Sequence, residues 1–315
     1  MRVNLRELST PQRLFVILAI IGLGVIIFNL GSCGESGKLK LPRSATYIHK
    51  PYQFPNGGRT IFPRYRLVAL YGTPAYPALG ALGQQSLPAS IAWAKRIAAS
   101  YQPLVHEHVL PTLEIIASIA SGTPTENGDY SQELPISELT PWVKAARQNG
   151  VYVVLDLQTG RSSFLKEAKD YASLLKQPNV GLALDPEWRL TSTQVPLEQI
   201  GSVGIDEVNQ TTAWLSQLTQ QSKLPQKLVV LHQFRIDMIQ HREKLDTAHS
   251  NLVFVIQMDG SGAQSTKLDT WHNILENPPA GVRFGWKNFY REDPATLSPA
   301  GTMSLTPRPW YVSYQ

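Results

Sequence analysis

Residues 151–188 read VYVVLDLQTGRSSFLKEAKDYASLLKQPNVGLALDPEW, and the succession of apolar patterns in this stretch decides the fold. VYVVLDLQ (151–158) and VGLALDPEW (180–188) are short aliphatic, β-branched runs. Between them LKEAKDYASLLKQ spaces its apolar residues as an amphipathic helix does. Strand, helix and second strand make a βα unit of a parallel sheet. Working outward, the same alternation recurs in RLVALYG (66–72), LPTLEIIASI (110–119), KLVVLHQF (227–234), LVFVIQMDG (252–260), GVRFGWKNF (281–289) and PWYVSYQ (309–315). Helical stretches such as ASIAWAKRIAASY, LTPWVKAARQNG, IDEVNQTTAWLSQLTQQ and STKLDTWHNILEN separate them. Eight such repeats over about 250 residues predict an α/β chain folded as a (β/α)₈ TIM barrel, with a doubly wound open sheet as the competitor.

Enzymes on this fold work at the C-terminal ends of the strands, so what those ends carry matters most. They carry Tyr71, Glu114, Asp156 with Gln158, Asp185 with Glu187, His232, Gln257 with Asp259, and Trp286 with Lys287 and Asn288. The strand interiors are otherwise apolar. The acids are therefore expected at one mouth, where repulsion and desolvation make a cluster costly unless it binds or catalyses something. His106 and His108 precede the second strand and belong at the opposite end.

In Gly181-Leu182-Ala183-Leu184-Asp185-Pro186-Glu187-Trp188, alternation sends Leu182 and Leu184 to the helices and Gly181, Ala183, Asp185 and Glu187 inward. The two carboxylates would then stand roughly 6–7 Å apart along the strand. Such a pair divides labour, one ionised and one holding a proton, as glycoside hydrolysis requires. The plainer alternative makes Asp185 a cap and Glu187 a partner of Arg189 or Lys287.

This Asp-x-Glu resembles the strand-four motif of fungal-type and phage-type muramidases and of chitinase-type barrels. The resemblance implies that Glu187 donates the proton and that Asp185 tunes it or orients the substrate. The first strand, however, offers Ala69 and Tyr71 where the muramidases place an Asp, so Asp156 or Asp259 would supply the second carboxylate. The stretches LALDPEWR and GWKNFY are also similar to those of an uncharacterised lipoprotein family of Gram-positive bacteria, a resemblance that brings no activity with it.

Trp188, Trp286, Tyr71 and Tyr290 fall at or just past strand ends, where flat faces would stack on sugar rings, although each taken singly is also ordinary barrel packing. Glu114, Gln158, His232 and Asn288 would hydrogen-bond the substrate. His232 with Asp156, Glu187 or Asp259 would alternatively form a divalent-metal site, but one mouth histidine is few for catalytic zinc. No P-loop, dinucleotide fingerprint or nucleophilic-serine motif occurs, and no cofactor is expected.

The 315 residues carry a net charge of +5, of which Arg2, Arg6 and Arg13 against Glu7 contribute +2. A domain with so small a remainder has no nucleic-acid footprint. The chain is 43% hydrophobic and has one cysteine, so its core holds the fold without a disulfide. Residues 14–30, LFVILAIIGLGVIIFNL, carry no charge and follow the arginines as the core of an export signal follows its basic region. Leu30-Gly31-Ser32-Cys33 resembles a lipobox and implies lipid attachment at Cys33.

These observations together predict a signal or anchor at 1–33, an extended linker at 34–65 and a barrel at 66–315. The expected function is a membrane-anchored, extracytoplasmic glycoside hydrolase acting on a cell-envelope glycan. A wall-polysaccharide-binding barrel without catalysis and a metal-assisted hydrolase are the alternatives. Partners would be that glycan and the membrane.

Overall fold

The computed structural model describes residues 51–315; the expected leader and the lipidation position Cys33 lie outside the described residues. Eight strands form the barrel: β1 Tyr65–Gly72, β2 His108–Ala120, β3 Tyr152–Leu157, β4 Val180–Leu184, β5 Lys227–Gln233, β6 Leu252–Met258, β7 Arg283–Asn288 and β8 Tyr311–Tyr314. Each pairs in parallel with its sequence neighbours, and β1 closes the ring by pairing with both β2 and β8, Leu67 lying beside Leu110 on one side and Tyr311 on the other. The fold is the closed (β/α)₈ barrel. A short antiparallel strand, Ser131–Glu133, extends β2 beyond the ring at the mouth.

Helices α1 Leu87–Tyr101, α2 Ile136–Gln148, α3 Phe164–Asp170, α4 Ala172–Leu175, α5 Ile205–Gln221, α6 Gln264–Ile274 and α7 Pro299–Met303 surround it. In α1 the buried residues Ile91, Ala94, Ala98 and Tyr101 recur every three or four positions, which is the stripe a helix lays on a sheet. Helix α5 begins with Asp206 and Glu207, acids that favour a helix N-terminus. Between β5 and β6 the chain makes two single 3₁₀ turns, Ile236–Met238 and Arg242–Lys244, and a two-residue strand, Ile239–Gln240, paired with Val203–Gly204. Among the described residues no helix is long and apolar enough to cross a membrane.

Alternation along the strands separates two cores. Leu182, Leu184, Val229, Leu231, Phe254 and Ile256 face the helix layer. Tyr65, Leu67, Ala69, Tyr152, Val154, Ala183, Val230 and Tyr311 fill the interior. Gly181 is inward as expected, and only glycine fits there: a Cβ would stand 2.6 Å from the Leu228 carbonyl oxygen and 2.9 Å from the Tyr152 hydroxyl. The wide aromatic layer at this level leaves no room for a side chain on β4.

Residues 51–64, read from sequence as the end of an extended stretch, close the N-terminal end of the barrel. Phe54 packs edge-on to Tyr65 at 5.6 Å and beside Tyr152 at 6.0 Å. Ile61 is fully buried, and its amide donates to Gln226 Oε1 at 2.7 Å. The compact unit thus begins at Pro51. Tyr52 and Phe62 pack against the same core, and an absence of periodicity does not reveal such contacts.

Candidate functional site

The C-terminal end of the barrel collects the acids that alternation assigned to it. His232 stands at the centre, fully buried, with Nδ1 2.7 Å from Asp259 Oδ2 and Nε2 3.0 Å from Glu114 Oε1. Asp156 lies 3.9 Å from the same Nε2 and accepts a hydrogen bond from the Tyr71 hydroxyl at 2.8 Å. Burial alone would lower the imidazole pKa, but Asp259, Asp156 and Glu114 reverse that and hold it well above the usual range. His232 is therefore an imidazolium clamped by carboxylates from opposite sides of the ring.

Lys287 repeats this on β7. Its Nζ lies 2.8 Å from Asp259 Oδ1 and 3.6 Å from the centre of the Tyr71 ring, combining an ion pair with a cation–π contact. Burial opposes its charge, yet Asp259 and Glu114 raise its pKa. Burial would likewise raise Asp259, but the two cations bring it down to about 2. Asp259 is the fixed anion of the site.

Asp185 and Glu187 behave oppositely. The β4 ladder stops at Leu184, because Pro186 has no N–H to continue it and restricts the residue before it. Pro186–Trp188 then form one 3₁₀ turn. Glu187 accordingly sits on a turn and not on the inner face of a strand, which corrects the expected strand pair. The turn is fastened from behind, with the Gly201 amide donating to the Glu187 carbonyl at 2.7 Å. A Cβ on Gly201 would lie only 2.5–2.7 Å from the carbonyl oxygens of Arg189, Glu187 and Pro186. Arg189 pairs with Glu207 of α5 at 3.0 Å, so it is not the partner of Glu187.

Burial, with Asp259 adding repulsion, lifts Glu187 to about 7. Burial also drives Asp185 well above the carboxylate range, and Asp156 adds to the shift while His232 opposes it. Desolvation takes Asp156 to about 6. Asp259, brought down to about 2, thus stands among three carboxylates whose pKa values are raised.

A cavity of ≈590 Å³ opens over this cluster. Asp185, Glu187, Asp259, Lys287, Gln158 and Tyr71 form its polar floor. Ile116, Ile119, Leu197, Phe234 and Phe289 form an apolar wall, and Trp188 stands at its edge. The loops after β6 and β7 are locked together beneath it. Asp293, almost fully buried, takes an ion pair from Lys267 of α6, the Phe289 amide at 3.0 Å and the Gly262 amide at 2.9 Å. Sequence reading placed Lys287 at the mouth without a catalytic or binding role and did not find the Lys267–Asp293 lock or the apolar wall. The parity of β7, with Gly285 packed inside the ring, is enough to aim Lys287 inward; nothing local betrays the lock.

The remaining expected site residues divide. Glu114, Asp156 and His232 are fully buried and do not line the cavity. Gln158 lines the cavity, where its Oε1 accepts the Ala120 amide at 3.2 Å. Trp286 and Asn288 point away, which corrects their expected role: Trp286 packs against Trp271 at 5.8 Å in the helix layer and donates to Asn288 Oδ1 at 3.0 Å. They are one residue out of phase with Gly285 and Lys287, and a one-residue step changes the face. Tyr290 stacks between Trp93 (5.8 Å) and Tyr314 (5.5 Å) and lines a separate cavity of ≈270 Å³. His108 begins β2 beside Tyr65 at the opposite end of the barrel, as expected.

Neither the models of known protein families nor the curated proteins include a match to the chain. Among solved structures it is similar to a dihydropteroate synthase from Burkholderia cenocepacia, crystallised with 7,8-dihydropteroate. The two share 13% identity at a TM-score of 0.34, over 80% of this chain and 86% of that one. A likeness at this level says nothing of substrate.

The expectation of an envelope-glycan hydrolase, and of a wall-binding barrel, is corrected here. No family model and no curated protein that matches supports an action on an envelope glycan, and a solved structure that aligns is a dihydropteroate synthase. Of the aromatics expected to stack on sugar rings, Tyr71 and Trp188 line the cavity, whereas Trp286 faces the helices and Tyr290 another cavity. Glu187 and Asp185 do not form the strand pair on which the resemblance rested.

Proposed function

We propose that the barrel is an enzyme for proton-transfer chemistry on a small polar molecule. Glu187 is the residue that gives or takes the proton. The observation carrying this reading is one cavity in which Glu187, held at about 7, faces Asp259, held at about 2 by His232 and Lys287. Carboxylates whose surroundings drive their pKa values apart divide into acid and stabiliser, and Brønsted efficiency is greatest for a group near the working pH. The rigid set Asp259–His232–Lys287 needs no reorganisation when charge develops beside it. Asp185 completes the floor and holds substrate. A volume of ≈590 Å³ suits a small molecule and not a polymer surface.

Two measurements test this. Carboxyl-resolved NMR titration should show Glu187 titrating near neutrality and Asp259 ionised down to strongly acidic pH. Incubation of wild type and Glu187→Gln with a broad small-molecule library, followed by mass spectrometry, should reveal a compound consumed about 10² to 10⁴-fold more slowly by the variant. Ordinary titration of Glu187 near pH 4, or equal turnover by both proteins, removes the reading.

A further inference from the structure

We infer that the ligand of this cavity carries an organic cation, an ammonium or amidinium group, on an apolar body. The inference deepens the reading above and rests on it for the identity of the site. Its first support is a count of carboxyl groups against the cations that contact them, which leaves Asp185 and Glu187 without a cation of their own. Five carboxylates, Glu114, Asp156, Asp185, Glu187 and Asp259, meet only two cations, His232 and Lys287, and both cations are engaged by Glu114 and Asp259. Lys267 is held by Asp293 and Arg189 by Glu207, so neither supplies a third.

The second support is an unpartnered acceptor. Asp185 is 98% buried, lines the cavity, and its Oδ1 has no hydrogen-bond partner. A buried acceptor left without a donor costs free energy, which a ligand N–H recovers. An ammonium offers three donors, enough for Asp185 and Glu187 together.

The third support is the apolar part of the cavity lining. Ile116, Ile119, Leu197, Phe234 and Phe289 present apolar surface to whatever the acids hold, and a bare ion has no use for it. Atoms of Asp185, His232 and Asp259 do lie within 4.8 Å of one another, as a divalent metal would require. Both nitrogens of His232 are already hydrogen-bonded to carboxylates, however, so coordination would first strip the imidazole from Asp259 or Glu114. An organic cation asks for no such rearrangement.

Linkage supplies the signature. The groups facing Asp185 and Glu187 are Tyr71 on β1, Glu114 on β2, Asp156 on β3, His232 on β5, Asp259 beyond β6 and Lys287 on β7. A bound cation stabilises the ionised carboxylates, so protons leave as it binds.

The test is calorimetry on the full chain at pH 6.5, with phenethylammonium chloride and neutral phenethyl alcohol as probes, in two buffers of different ionisation enthalpy. The expected result is that the amine binds at least tenfold more tightly than the alcohol and releases protons. Asp185→Asn, a near-isosteric change, should abolish most of that tenfold preference. If the variant does not fold, the two probes and the proton release on wild type decide by themselves. Equal binding of amine and alcohol, binding of neither, or binding of Mn²⁺ alone that expels the amine overturns the inference. Failure of Glu187 to titrate near neutrality, with amine selectivity intact, would remove the catalytic reading and leave this one standing.

Discussion

Two buried lysines at opposite ends of one barrel have pKa values displaced in opposite directions. Lys227, at the start of β5 near the closed end, is fully buried and finds only the carbonyl oxygens of Gln177 (3.0 Å) and Val180 (2.6 Å); burial takes it down to about 7. Lys287, near the mouth, is as deeply buried, yet Asp259 raises it. Dipoles of carbonyls do not replace water around an ammonium, whereas a carboxylate at 2.8 Å does. The end of the barrel that keeps its charges is therefore the end that gathers acids, and this is what makes the mouth a site and the closed end a plug.

The sharpest way to break the contrast is His232→Ala. It leaves Glu114 and Asp259 facing one another across a buried space without the cation between them, and removing one member of a buried ion pair costs about 3–5 kcal/mol. Urea denaturation at pH 7 should show a loss of this size. A loss under ~1 kcal/mol would mean that the clamp holds no charge.

At the other end, Lys227→Met should change the pH dependence of stability more than its value at any one pH. The folded pKa of about 7 lies below the unfolded value, so the folded state binds fewer protons in between. Wild-type stability therefore falls as pH drops from about 10 to about 7 and levels off below that. The methionine variant should lack this slope and be more stable at pH 6 by ~1–3 kcal/mol, the cost of a buried charge less two hydrogen bonds. Parallel curves for both proteins would refute the account given for this lysine.

The mouth predicts the reverse slope. Asp185, Asp156 and Glu187 have folded pKa values above those of free carboxylates, so the stability they contribute is present below about pH 4 and is lost as pH rises through the folded values. Asp185→Asn should then stabilise the protein at pH 7.5 by on the order of 1 kcal/mol and leave it unchanged at pH 4, the common exchange of stability for a strained site. Thermal melts at the two pH values are sufficient. Stabilisation of equal size at both would point to packing instead of charge.

The smallest expected effect is that of His106→Ala. This histidine is exposed at the closed end, and a surface change of this kind stays within ±0.5 kcal/mol. The titration of Glu187 should be identical in the variant. A shifted Glu187 would mean that the two ends communicate through the barrel.

Much of this was open to sequence reading because a strand repeats every two residues. Glu114, Asp156, Asp185, His232 and Asp259 share an inner phase at strand ends, so their convergence followed once eight parallel strands were recognised. Trp286 and Asn288 carry the same type of signal in the outer phase, and treating them as substrate contacts ignored the parity that Gly285 sets. Glu187 marks another boundary, since a proline inside the motif cancels the alternation beyond it.

The sequence by itself determined the number and order of strands, the separation of apolar interior from helix-facing layer, and the end at which the acids collect, because these depend on local periodicity and chain connectivity. Only the tertiary structure decided which carboxylates are ionised, which lysine keeps its proton, that residues 51–64 close the barrel, and that Lys267 and Asp293 lock two loops. Those outcomes turn on distances of about 3 Å between groups many residues apart, and on burial, which sets the strength of every charge interaction. Neither quantity is a property of any window of the chain.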